Sequence, residues 1–181
     1  RRPGPKWPCI GELLADQAEL IDEYDAFWFP DDDLSVATSE VNRMFAFFHA
    51  HQLCLAQPAL TRDSTYTWST LLRDSRCHMR YTSFVEVMAP MFSRAALELC
   101  APTFFESRSG WGLDWIWPLL CQRAGLGRIA VIDATPVAHR RPIGGELYAN
   151  HPDMDPRSDA AKVIRRYGLQ DRWITFLNCV L

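Results

Sequence analysis

Lysine is nearly absent from this chain. Of 19 basic residues only Lys6 and Lys162 are lysine, and the other 17 are arginine. No arginine cluster forms a basic stripe, so the excess reads as a base-composition bias. A formal charge of −3 gives no electrostatic footprint for nucleic acid or an anionic membrane, and no nucleic-acid partner is expected. Long apolar runs are also missing. The longest uncharged stretch, Met44 to Thr61, carries His49, His51, Gln52, Gln57 and Pro58, too polar and broken to cross a bilayer. No signal peptide, internal repeat or low-complexity segment is visible. There is no C-x-x-C pair, and Cys77 and His78 are adjacent rather than at ligand spacing, which excludes a structural zinc site. The six cysteines therefore read as free, mostly buried thiols in a reducing, cytoplasmic compartment. An initiator Met is lacking too, and the chain is expected to be a piece of a longer protein.

What is present is a folding composition. With 48% hydrophobic and 23% charged residues, 181 residues predict one domain with a substantial core, spanning 1–181. Ile10, Leu13, Leu14, Ala18 and Ile21 fall at helical spacing. The apolar run Ala26 to Phe29, ended by Pro30, predicts a buried strand. Thr38 or Ser39 can cap a helix burying Val41, Met44, Phe45 and Phe48. Further strands are predicted at Leu53–Ala56, Phe84–Met88 and Ile129–Ile132. Ser93 caps a helix to Leu99, another runs from Leu113 to Ala124 around Pro118, and Ser158 caps a last one. Residues 61–82 read as a long loop, 135–145 as a Pro/Gly-rich stretch, and Trp173 to Leu181 as an apolar tail. Strands alternating with helices point to an α/β sheet with helical cover.

Three sequence features can carry chemistry. Asp31-Asp32-Asp33 stands at the carboxyl end of the first strand, where open α/β sheets place ligands. In an extended chain Asp31 and Asp33 can point together toward a hard cation, with Asp32 facing elsewhere; a solvated acidic turn is the alternative. Gly110-Trp111-Gly112-Leu113-Asp114 makes a tight or mobile loop that offers an indole face to a sugar. Asp114 then stands at a helix start whose dipole favours the carboxylate, and it can accept a proton or simply serve as an N-terminal helix residue. His139, followed by Arg140, Arg141 and Gly144-Gly145, can complete a metal shell, with arginine holding phosphate oxygens, or act as a surface hydrogen-bonding residue. Glu86, an acid between apolar neighbours, can contact substrate or pair with Arg80.

Together these blocks resemble metal-dependent nucleotide-sugar glycosyltransferases of the GT-A type, and most closely the domain of unknown function 707 family grouped with them. The resembling stretches run from Tyr24 to Leu34, Gln57 to Leu60, Phe84 to Ser93, Gly110 to Asp114, and Val131 to Asp133 with His139. The resemblance implies a GT-A-like mixed sheet with flanking helices, lacking its N-terminal nucleotide-binding part, because only thirty residues precede Asp31. It implies Mn²⁺ or Mg²⁺ held by Asp31, Asp33 and His139, and Asp114 as the catalytic base. Substrate contacts would come from Asp32, Glu86, Gly110, Trp111, Gly112 and Arg140. The implied partners are a nucleotide-diphosphate sugar donor and a carbohydrate or other hydroxyl acceptor, with inversion at the transferred carbon. The loop departs from galactosyl-type relatives, which carry further acids after Gly-Trp-Gly, in having Trp115 directly after Asp114. A non-catalytic carbohydrate-binding or interaction module and a metal-dependent phosphohydrolase are the competing readings.

Overall fold

A computed structural model describes residues 4–142, 145–169 and 172–181; Gly144 lies outside them. The chain forms a mixed α/β structure around a seven-stranded sheet. In chain order the elements are α1 (Lys6–Asp16), α2 (Glu19–Glu23), β1 (Ala26–Trp28), β2 (Leu34–Ser35), α3 (Thr38–Ala50), β3 (Leu53–Leu60) and β4 (Met79–Thr82). Then come β5 (Met91–Ser93), α4 (Arg94–Cys100), α5 (Leu113–Arg123), β6 (Arg128–His139), α6 (Gly145–Asn150), α7 (Pro156–Arg166) and β7 (Phe176–Val180). The strand order is β1-β5-β3-β6-β4-β7, with β2 paired to the far end of β6. Only β3 and β6 run parallel; the other pairs are antiparallel.

The two central strands explain the burial. Every residue of β3 is buried, as expected for a strand covered on both faces. One face packs the aromatic cluster of Trp7, Phe92, Phe104 and Trp117, with Trp7 and Trp117 rings 4.6 Å apart edge to face. The other packs Met44 and Phe48 of α3 against Met79, Met91 and Ile132. Ser93 caps α4 as its sequence predicts, accepting from the Ala96 amide.

Several sequence expectations need correction. The second predicted strand does not stop at Ala56. It continues through Pro58 to Leu60, because a register shift against β6 beginning at Pro58 loosens the ladder where proline supplies no donor. The predicted strand Phe84–Met88 is instead a buried irregular segment. Two of its amides find side chains in place of a partner strand, Phe84 N–H the Thr82 hydroxyl and Glu86 N–H the buried side-chain amide oxygen of Gln57. Conversely, Met79–Thr82 forms β4 inside the expected loop, and the expected tail forms β7. The last helix begins earlier than expected, with Asp155 rather than Ser158 as its cap, accepting from the Arg157 and Ser158 amides. β6 is long enough to place His139 on a strand rather than in a loop.

The free-thiol expectation fails at one pair. Cys77, two residues before β4, is disulfide-bonded to Cys179 in β7 across 102 residues, which removes the support that reading lent to a reducing compartment. Cys54, Cys100 and Cys121, all buried, and the half-buried Cys9 are in no disulfide. Among the described residues no helix is long and apolar enough to cross a membrane.

Candidate functional site

The register of β2 assembles the acidic end of the site. Leu34 pairs with His139 and Ser35 with Ala138, so the residue just before β2, Asp33, is delivered beside the imidazole. His139 Nε2 lies 3.1 Å from Asp33 Oδ2, and His139 Nδ1 lies 2.8 Å from the Thr65 carbonyl oxygen. A carbonyl oxygen can only accept, so Nδ1 carries the hydrogen. In the neutral ring Nε2 then turns a lone pair toward a carboxylate, an arrangement that calls for a proton or a cation between them. The other carboxylate oxygen of Asp33 is buried without a hydrogen-bond partner. An unmatched carboxylate oxygen and an imidazole lone pair are suitable donors for a divalent cation. Their 3.1 Å spacing matches neighbouring ligands on an ion with bonds of about 2.1 Å. Among the described residues no three His, Cys, Asp or Glu side chains converge on one point. Asp33 and His139 would thus leave the remaining positions of such an ion to water and substrate oxygens.

Asp31 has a different partner, one that motif reading did not single out. Trp7 is anchored in the aromatic core, and its neighbour Lys6 reaches into the acidic cluster. Lys6 Nζ donates to Asp31 Oδ1 at 2.7 Å and to the Val87 and Met88 carbonyl oxygens at 3.0 and 3.1 Å. Burial raises the Asp31 pKa and lowers that of Lys6, each partly offset by the other's charge. Asp32 remains exposed at the rim. The signal available for Lys6 was its rarity and its place beside a tryptophan, which is too little to assign a position.

The Gly-Trp-Gly loop is pinned by packing. At Gly110, φ is +83°, and an added Cβ would lie 2.6 Å from the Trp7 ring. At Gly112, φ is +95°, and an added Cβ would lie 2.9 Å from the Ala160 Cα of α7. Only glycine permits both the left-handed backbone and these approaches. The Ser107 hydroxyl donates to the Trp111 carbonyl, and the Ser109 amide and hydroxyl both donate to Asp159. Trp111 is thereby held as a half-buried wall, and Asp114 sits in the first turn of α5, accepting from the Gly112 amide at 3.2 Å.

The sequence reading of Asp114 as a carboxylate favoured by the helix dipole is reversed. Backbone donors do lower its pKa, but desolvation wins and pushes it up to about 7. Glu86, buried and with Oε2 unpartnered, is likewise pushed up to about 7, first by burial and then by the Asp114 charge. Glu86 does not pair with Arg80, whose guanidinium forks onto the buried Asp133 at 2.8 and 2.9 Å.

One cleft of about 1690 Å³ gathers these groups. Asp31, Asp32, Asp33, Glu86, Trp111, Gly112, Asp114 and His139 all line it. Gly110 faces Trp7 instead, and Arg140 turns to the surface, paired with Asp63 at 2.7 Å. Arg141 and Arg172 border the cleft in its place. The arrangement offers a cation-ready acidic end, aromatic walls from Trp111 and Trp115, and two carboxyl groups that change charge near neutral pH.

Comparison with known proteins bears on these residues unevenly. A search of curated proteins returns no match to the chain. The family model described as "Protein of unknown function (DUF707)" matches residues 73–176, more than half of the chain. The match takes in Glu86, the Gly110–Asp114 loop, His139 and Arg140 and stops short of Asp31–Asp33. The chain therefore belongs to the DUF707 family.

Proposed function

We propose that this protein is a metal-dependent glycosyltransferase of GT-A type, moving a sugar from a nucleotide-diphosphate donor to a hydroxyl acceptor with inversion. The observation that carries the reading is one cleft holding both the Asp33–His139 donor pair and a carboxyl group, Asp114, with a pKa of about 7. Asp33 and His139 would hold Mn²⁺ or Mg²⁺, which supplies charge neutralisation for the departing diphosphate. Lys6 fixes Asp31 and adds a positive charge at the same end of the cleft. Trp111 and Trp115 wall the acceptor side, where indole faces suit sugar rings. Asp114 accepts the acceptor hydroxyl proton as the new glycosidic bond forms, and a pKa near 7 suits a base that must be ionised yet still attract a proton. Glu86 lies deeper and serves substrate through hydrogen bonds whose sense depends on its own protonation.

The test is transfer from a panel of UDP- and GDP-sugars to a mixed saccharide acceptor pool with Mn²⁺ present. Product formation that chelation abolishes supports the assignment. Sugar binding without transfer, unaffected by metal, supports the carbohydrate-binding module instead, and phosphate release without an acceptor supports a phosphohydrolase.

A further inference from the structure

A second cavity, of about 570 Å³, adjoins the main cleft at Trp111. Its floor is one face of α7 and the turn that follows. Arg157, Ala160, Ala161, Ile164, Arg165 and Gly168 recur at three- and four-residue intervals, the spacing of one helix face. The small residues make the hollow, and the arginines stand at its edges. Arg172 completes the ring and borders the main cleft as well, as do Trp111 and Ala160.

What sets this hollow apart is three arginines lining one cavity. Nearby Arg108 is paired with Asp153 at 2.7 Å, and Arg166 faces Glu106 at 3.7 Å. Arg157 and Arg165 make no ion pair among the described residues; Arg172 lies over the Trp115 ring, 5.9 Å from its centroid, and its charge also acts on the Asp114 carboxyl. Three guanidinium groups around a concave surface, next to an indole, suit a sugar that carries an oxyanion. A volume of about 570 Å³ falls within the range of small-ligand sites. The cavity adjoins the main cleft through Trp111, Ala160 and Arg172, and Asp114 lines that cleft, so a ligand spanning both places its neutral end in the space that Asp114 borders.

We propose that this cavity is an acceptor subsite for an anionic saccharide, in which Arg157, Arg165 and Arg172 hold a carboxylate, sulfate or phosphate group while the adjoining sugar stacks on Trp111. The subsite deepens the glycosyltransferase reading and rests on it for the word acceptor, but the binding itself does not. Recognition is electrostatic at an open site, so it weakens at raised salt.

Titration calorimetry on the full chain tests this with cellobiose, the corresponding glucuronic-acid disaccharide, and inorganic phosphate. The uronide is expected to bind about tenfold tighter than cellobiose, the worth of one or more charge-assisted hydrogen bonds. Arg165→Gln should bring the two within about twofold, and so should Arg157→Gln, with circular dichroism unchanged because both side chains are exposed. Equal binding of the two saccharides overturns the proposal, as does a preference that survives both substitutions. Phosphate binding as tightly as the uronide overturns it too, since the cavity then takes a free anion rather than a glycan. Donor binding and transfer measured in parallel separate the two readings. Uronide binding without transfer refutes the transferase and leaves the subsite standing. Transfer with no preference for anionic acceptors refutes the subsite alone.

Discussion

At the scale of single residues, burial acts against local hydrogen bonding in the cleft. Asp114 is surrounded by backbone donors that favour its charge, yet desolvation carries it to about 7. As a general base it must be ionised, so turnover should rise with pH through about 7, following an acid limb that a pH–rate profile would read. Asp114→Asn should leave donor affinity intact and lower turnover by roughly 10²- to 10⁴-fold. Retention of full activity would move the base elsewhere, with Glu86 the next candidate. Glu86 carries a stability consequence of its own. Its folded pKa lies above the unfolded value of 4.5, so the native state holds the proton more tightly. That stabilisation is complete below about pH 4.5 and is lost as pH rises through about 7. Glu86→Gln should flatten the decline in denaturant midpoint over this window. An unchanged slope would assign the decline to other groups.

At the scale of elements, the site depends on close approaches that tolerate no added atom. Gly112→Ala would drive a methyl into the backbone of α7 and force an alanine into a left-handed conformation. We expect a loss of about 1–3 kcal/mol in unfolding free energy, read by urea denaturation. β7, an edge strand of five residues, is held to β4 by the Cys77–Cys179 disulfide. Cys179→Ser should lower stability by about 2–4 kcal/mol, and denatured, unreduced protein should show four reactive thiols. Finding six would contradict the bond.

Elements also explain what the sequence disclosed and what it concealed. The Asp triplet after an apolar run, the paired glycines around Trp111 and the histidine beyond the β6 core were visible, because each departs from the composition around it. The run from Phe84 to Met88 misled, since two-sided burial looks alike in a strand and in an irregular segment tied down by Gln57 and Thr82. β4 escaped notice because it is short and mixes Arg80 and Tyr81 with its apolar residues. Lys6, Arg165 and Arg172 carry no local signature. Their roles come from distant parts of the chain, with Trp7 placing Lys6 and the α7 face placing Arg165 in the cavity that Trp111 also lines.

At the scale of the whole molecule, the sheet brings together blocks that lie far apart in the chain. β2 joins the end of β6 and sets Asp33 against His139, a sequence separation of 106 residues. The Gly-Trp-Gly loop, wedged between Trp7 and α7, places Trp111 where it lines both the cleft that these two share and the arginine-lined cavity. Family membership covers the loop and the histidine but not the acidic triplet, so the joint action of the two halves is the point on which the account depends. Titration calorimetry of UDP and GDP against the intact chain, with and without Mn²⁺, tests it most directly. Binding should require the metal and be lost in Asp33→Asn. Nucleotide binding that ignores Mn²⁺, or that Asp33→Asn leaves unchanged, would contradict it.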